Sequence, residues 1–507
     1  MQAQASAAPQ FIAWFLALFA MTQVPLYWVQ YPDITDFPNH LARLHVLMHL
    51  PESETLQRYY ALRPFQMGTN LAMDVLVPAL ARWMDALLAL KLFASLAMLL
   101  VTTGTVALGR AVTGRFNYLL LGVLLFAHNA MFQLGLFNYL FGLGLALWLL
   151  SAWIIARSRT GFWHWIAFAG GCVLIYFCHL SALGVYAVGV LGYELGCAHG
   201  RGGIISRSTL HAVLLPLIQF APAAVLHLLV SNSTGSYVPV SFTGSGLQAA
   251  LVWLVHKATI LALSPSICVS GYMLGQAVFG FFLVFALYAG FRERALKLAI
   301  PVRWMAGLLA AAIVVLPHAG FGSNMVDIRL IPALGLMLWC GLEIGERSTL
   351  RPKVVLGGIA VVVMLISLET TREWVVRDKE YRRIRSALTQ IPEGSTLATV
   401  VLDDAKTPFV SPHAGAWSVI DRSALLSNFF LWPFQPFRVA YQEPYAALAT
   451  QARTDAPGAP PPAYASLRQD YDYVLVFGGD EASRLRYSPG ASTVFSSPSA
   501  RLLRTGD

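Results

Sequence analysis

The chain has 507 residues, of which 57% are hydrophobic and only 12% charged, and its mean hydropathy is +0.60. Soluble domains are roughly a quarter charged, so this composition excludes a soluble globular protein and places most of the chain in a bilayer. The net charge of +9 is not a nucleic-acid footprint either, because the basic residues gather in alternate connections between apolar segments.

A membrane span needs about 20 apolar residues, and about eleven such segments can be placed along the chain. They cover residues 11–30, 86–108, 117–132, 136–156, 163–178, 180–197, 210–230, 271–290, 302–317, 328–346 and 354–371. Arg110 with Arg115, Arg157 with Arg159, Arg201 with Arg207, the group Arg292, Arg294, Lys297 and Arg303, and the group Arg347, Arg351 and Lys353 occupy every second connection. That is the positive-inside pattern. It puts those connections and the N-terminus in the cytoplasm, and residues 31–85 and the C-terminal tail outside the inner (plasma) membrane. Residues 1–10 hold no Lys or Arg, so the first segment reads as a retained span rather than a cleaved leader. The five cysteines, Cys172, Cys178, Cys197, Cys268 and Cys340, lie in or beside apolar segments. They imply no disulfide framework and no thiolate metal site.

Directly after the first span comes Tyr31-Pro-Asp-Ile-Thr-Asp-Phe-Pro-Asn-His-Leu-Ala-Arg43. Charged groups at this depth are costly unless they are solvated or used. Pro38 suits the first turn of a helix running to about His49, with Leu41, Leu44, Val46, Leu47 and Leu50 as an apolar stripe along the interface. Asp36 is placed to cap that helix, or to act with Asp33 as a general base on an acceptor hydroxyl. His40 and Arg43 stand one turn apart on one face, where Arg43 suits a phosphate and His40 a sugar hydroxyl or the role of the base itself. His45 and His49 have a metal-ligand spacing but no carboxylate nearby, and read as ordinary interfacial residues. A second interfacial helix is expected over 71–84.

His128, Asn129, Asn138, Tyr139 and His179 fall at the outer ends of spans, where they either line one cavity or serve as membrane anchors. The pair Gly142-x-Gly144 suits close helix packing. Ser231 to Gly246 is loop-like, and the apolar segment 247–264 reads as a re-entrant or surface helix, because a further span there would break the charge rule. His318, Asp327 and Arg329 belong to an outer loop running into a span. There an arginine can grip a phosphate through two oxygens, with an Asp327–Arg329 pair holding the loop as the alternative. From Arg372 to Arg385 a polar helix leaves the membrane. Thr396–Leu402, Tyr473–Phe477, Ser492–Ser496 and Arg501–Arg504 follow as strands, with a Pro-rich loop at Ala456–Pro462 between them. No P-loop, Gly-x-Ser-x-Gly elbow or His-Glu-x-x-His occurs, so ATP-driven transport and serine or zinc hydrolysis lose support. No metal or other cofactor is expected.

This layout resembles the GT-C integral-membrane glycosyltransferases, nearest to the protein-mannosyltransferase-like and aminoarabinose-transferase-like branch. The likeness rests on a first span, a long outer loop with an acidic motif and an interfacial helix, a later outer arginine and a small outer C-terminal domain. It implies an all-α polytopic membrane protein of about 11 transmembrane helices over residues 1–371, with an α/β extracytoplasmic domain over 372–507. By the same likeness, Asp36 or Asp33 is the catalytic base and Arg329 holds the phosphate of a polyprenyl-phosphate-linked sugar. Lipid A, a polysaccharide or a protein would be the acceptor. The family's acidic residues are often adjacent, whereas Ile34 and Thr35 separate them here, so the choice between Asp33 and Asp36 stays open. A polysaccharide ligase or polymerase, or a non-enzymatic transporter, are the rival readings.

Overall fold

Helices fill most of the apolar segments in a computed structural model. It describes residues 2–159, 161–200, 213–234, 246–269, 272–293, 296–320, 324–344, 352–402, 410–429, 431, 435–451 and 461–506. Most of Ser231–Gly246 and of Ala456–Pro462 lies outside these residues, as do Arg201, Arg207, Arg294, Arg347, Arg351 and residues 321–323 of the loop before Asp327.

Among the described residues, five helices are long and apolar enough to cross a membrane: Pro9–Trp28, Ala86–Thr113, Phe137–Ala156, Leu180–Gly200 and Lys353–Leu388. The chain is therefore a helical membrane protein, but eleven full-length spans do not follow. Several expected spans are shorter or broken. The segment 117–132 is a 3-10 stretch, Tyr118–Phe126, followed by the short helix Ala130–Leu134. Asn129 separates the two and caps the second by accepting from the amides of Met131 and Phe132. Residues 215–220 are also 3-10, with a proline in the first turn whose missing N–H cannot continue a preceding helix. The expected span 328–346 is a helix only over Val326–Cys340, ahead of the strand Leu342–Ile344.

Two compact units result. One comprises Met1–Val24, Met67–Met73 and Leu92–Thr370. Within it, the helices Leu180–Gly200 and Ile300–Val315 approach closely where Gly192 and Gly196 remove side chains. A Cβ on either glycine would stand 2.5 Å from the Cα of Met305 or Pro301 respectively. This is the small-residue spacing that lets helix backbones touch in a bilayer.

The other unit gathers Pro25–Gln66, Asp74–Lys91 and Thr371–Asp507. Its sheet has five strands in the order Leu425–Leu426, Thr396–Val401, Tyr473–Phe477, Ala500–Arg504, Ser492–Ser496. The first three run parallel and the last two join antiparallel. Every residue of Tyr473–Phe477 is buried, which explains its unbroken apolar run, since a central strand covered on both faces has no solvent side. Ala398, Val400, Leu467, Tyr471, Val474 and Leu503 form the core beneath it. A separate pairing of Tyr60–Leu62 with Val439–Tyr441 ties the segment after the first span to the C-terminal segment.

The helix Pro352–Leu388 has 37 residues. At about 1.5 Å per residue it is roughly 55 Å long, well beyond a hydrocarbon core of about 30 Å. Its apolar half ends near Leu368 and its charged half carries Arg372 to Arg385.

Candidate functional site

The motif after the first span forms the helix Phe37–His49, with a proline in its first turn and Asp36 at its N-cap. Asp36 occupies the capping position without using its side chain there: the carboxylate makes no capping hydrogen bond. It faces His413 instead, with Oδ1 3.4 Å from Nε2. Asn39, one turn along and fully buried, meets the other ring nitrogen of His413 at 2.5 Å. Burial lowers the His413 pKa to about 4, so the ring is neutral near pH 7.

Asp33 sits in a different environment. Its Oδ2 is 3.1 Å from Arg377 Nε, and its Oδ1 accepts from the Tyr381 hydroxyl at 3.1 Å. The same hydroxyl accepts from the amide of Ser411 at 3.0 Å. Asp33 thus meets a guanidinium and a phenol, and Asp36 meets a neutral imidazole.

Arg43, expected to face a ligand, is fully buried and points at Asp74. Nη1 lies 2.5 Å from Oδ1 and Nη2 2.7 Å from Oδ2, and Nη2 also donates to the carbonyl of Phe437 at 2.8 Å. Both terminal nitrogens of its fork are thus occupied, which makes Arg43 a tie rather than a phosphate ligand. His40 is buried as well. His45 and His49 stack with ring centroids 4.6 Å apart. Burial first, then the neighbouring His49, lowers the pKa of His45 to about 4 against the opposing pull of Asp421.

A second cluster lies in the other unit. Asp327, at the start of the helix Val326–Cys340, is fully buried. Its Oδ1 is 3.0 Å from His318 Nδ1, and its Oδ2 is 2.9 Å from His256 Nε2 and 2.5 Å from Lys257 Nζ. Lys257 also donates to the carbonyl of Leu316 at 2.6 Å. The expected Asp327–Arg329 pair is not the arrangement found. Arg329 Nη1 instead meets His179 Nε2 at 2.8 Å, and the Arg329 carbonyl accepts from the Tyr139 hydroxyl. Tyr139 and His179 therefore do converge, at 5.4 Å between ring centroids. The other polar span ends have structural tasks: His128 meets the carbonyl of Thr22 at 2.9 Å, and Asn138 holds the backbone of Met73 and Asn70.

Among the described residues, His256, His318 and Asp327 are the group whose donor atoms could converge on a cation, all within 4.8 Å of one another. Lys257 competes for the same carboxylate and already balances its charge.

Asp74, Lys257, His256 and His413 were not singled out from the sequence. Lys257 carried the one readable signal, a lysine inside an apolar run. No protein-family model matches the chain, and no match to a curated protein is found.

Proposed function

We propose that the chain is a membrane glycosyltransferase that moves a sugar from a polyprenyl-phosphate donor to an acceptor hydroxyl on the extracytoplasmic face, with inversion. The observation that carries the reading is the pair of environments in the acidic motif. Asp33 is engaged by Arg377 and Tyr381, whereas Asp36 holds the N-cap without capping and faces a neutral imidazole. A general base must be ionised and able to reach a proton, and Asp36 is the better placed of the two. Its carboxylate takes the hydroxyl proton as the acceptor oxygen attacks the anomeric carbon. The bond from that carbon to the phosphate oxygen breaks, and polyprenyl phosphate leaves with the electron pair. Arg329, with His318 and Asp327 of its own unit, is assigned to the donor phosphate by the family resemblance. The alternation of basic connections supports an acidic motif outside the inner membrane, where a lipid-linked donor stays in the bilayer while its sugar reaches the interface.

The test compares the purified protein with Asp36→Asn, Asp33→Asn and Arg329→Ala, incubated with a panel of polyprenyl-phosphate sugars while release of polyprenyl phosphate is followed. Loss of a general base costs about 10²- to 10⁴-fold, so a folded Asp36→Asn variant is expected to fall by at least 10²-fold and Asp33→Asn by less. A protein that neither binds nor turns over any donor would overturn the reading.

One observation favours a second reading. Lys257 and Asp327 are buried and paired within apolar helices, and buried ionisable groups of this kind mark ion or substrate pathways in transporters. Transport of an organic anion into vesicles, abolished by Lys257→Met without any donor cleavage, would select that reading.

A further inference from the structure

His413 reaches the acidic motif from the opposite end of the sequence, and four contacts fix where it stands. Ser411 Oγ donates to the carbonyl of Thr35 at 2.8 Å and accepts from the His413 amide at 3.2 Å. The Ser411 amide donates to Tyr381 at 3.0 Å, and Asn39 holds the ring at 2.5 Å. The backbone of this turn is thus docked on Thr35 and its imidazole on Asn39, leaving Nε2 directed at Asp36.

Charge selects the tautomer. An amide N–H of Asn39 donating to Nδ1 leaves the ring proton on Nε2, facing the carboxylate. The reverse amide orientation would set the Nε2 lone pair against the Asp36 oxygen, two acceptors 3.4 Å apart. The first arrangement satisfies both groups.

We propose that His413 is the positioning residue of the Asp36 base. It donates from Nε2–H to Oδ1 and so turns Oδ2 toward the acceptor hydroxyl. The assignment rests on the reading of Asp36 as the base, and follows the general logic of a base oriented by a further group. It also gives the C-terminal segment a task inside the reaction. His413 itself exchanges no proton with substrate.

The test has two arms. In turnover, His413→Ala is expected to lower kcat roughly 10- to 100-fold, the scale of a misplaced catalytic group, with the donor KM unchanged. His413→Gln, whose amide can place an N–H near the Nε2 position, recovers most of the loss, and His413→Asn, too short to do so, does not. Equal losses in Gln and Asn variants that remain folded would overturn the proposal. The second arm needs no turnover. In protein labelled with nitrogen-15 at histidine, the resonance pair that vanishes in His413→Gln should show the Nε2–H tautomer and shift in Asp36→Asn. An Nδ1–H pattern, or one indifferent to Asp36→Asn, would sink the proposal even if the enzyme is active. A correct pattern in a protein inert toward every donor would sustain the pairing and remove the transferase reading alone.

Discussion

Arg43 and Asp74 form an ion pair with no exposed side-chain surface on either partner. Desolvating two charges costs several kcal/mol each, which a bidentate geometry and an added bond to the Phe437 carbonyl offset. Removing one partner strands the other, so Asp74→Ala is expected to destabilise the protein by about 3–5 kcal/mol. The double variant Arg43→Met with Asp74→Leu should recover most of that, because no buried charge is left. Unfolding in mixed micelles measures both, and a double variant no better than Asp74→Ala would mean that the pair adds net stability. Two half-buried imidazoles supply a pH dependence of definite sign. His45 and His413 bind protons near pH 4 when folded, against 6.5 for an ordinary imidazole, so below pH 6.5 the unfolded chain binds more protons. Their contribution is complete above pH 6.5 and is lost as pH falls toward 4. Stability measured across that interval should decline, and the decline should flatten in a His45→Gln, His413→Gln double variant. An unchanged slope would show that other groups control acid sensitivity.

The contact between the helices Leu180–Gly200 and Ile300–Val315 depends on backbone approach rather than on side-chain interlock. At Gly192 a Cβ would stand 2.5 Å from the Cα of Met305 and 2.7 Å from its nitrogen, neither of which can rotate away. Gly192→Ala should therefore cost about 1–3 kcal/mol, the range for overpacking. Gly184→Ala, on the same helix with nothing within 4 Å of its Cβ, should be neutral or slightly stabilising because alanine is the better helix former. Equal unfolding midpoints for the two variants would contradict the close approach. Helices and strands of this kind leave local traces, and those traces were readable. The strand Tyr473–Phe477 and the helix opened by Pro38 follow from runs of apolar residues and from one proline. Partnerships across the chain leave no such trace. Asn39 and His413 are 374 positions apart, and Lys257 is 70 from Asp327. In both cases the residue type is visible but its partner is not. Arg43 shows the same limit from the other side. Its helical face suggested a ligand, while the carboxylate that occupies it comes from a separate segment. Helix continuity was not legible for a different reason: hydropathy reports apolar length, and a break such as the one at Asn129 leaves that length unchanged.

On the scale of the molecule, the sidedness of the membrane decides what chemistry the acidic motif can meet. The proposed orientation, read from the positive-inside pattern, has Arg159 in the cytoplasm and the segment bearing Gln57 outside, and both residues are exposed. The cysteines make a clean background, since Cys172, Cys178, Cys268 and Cys340 are buried and only Cys197 is partly accessible. In a Cys197→Ala chain, Gln57→Cys should react with a membrane-impermeant maleimide in intact cells, and Arg159→Cys only after lysis. A sugar at the outer face has no pool of soluble activated donors and must arrive attached to a lipid. The expected labelling is therefore a physical requirement of a polyprenyl-phosphate donor. The reverse labelling would put Asp36 in the cytoplasm, where water-soluble activated sugars are at hand. The proposed donor class would then have to change, although the proposed base and the histidine beside it would not.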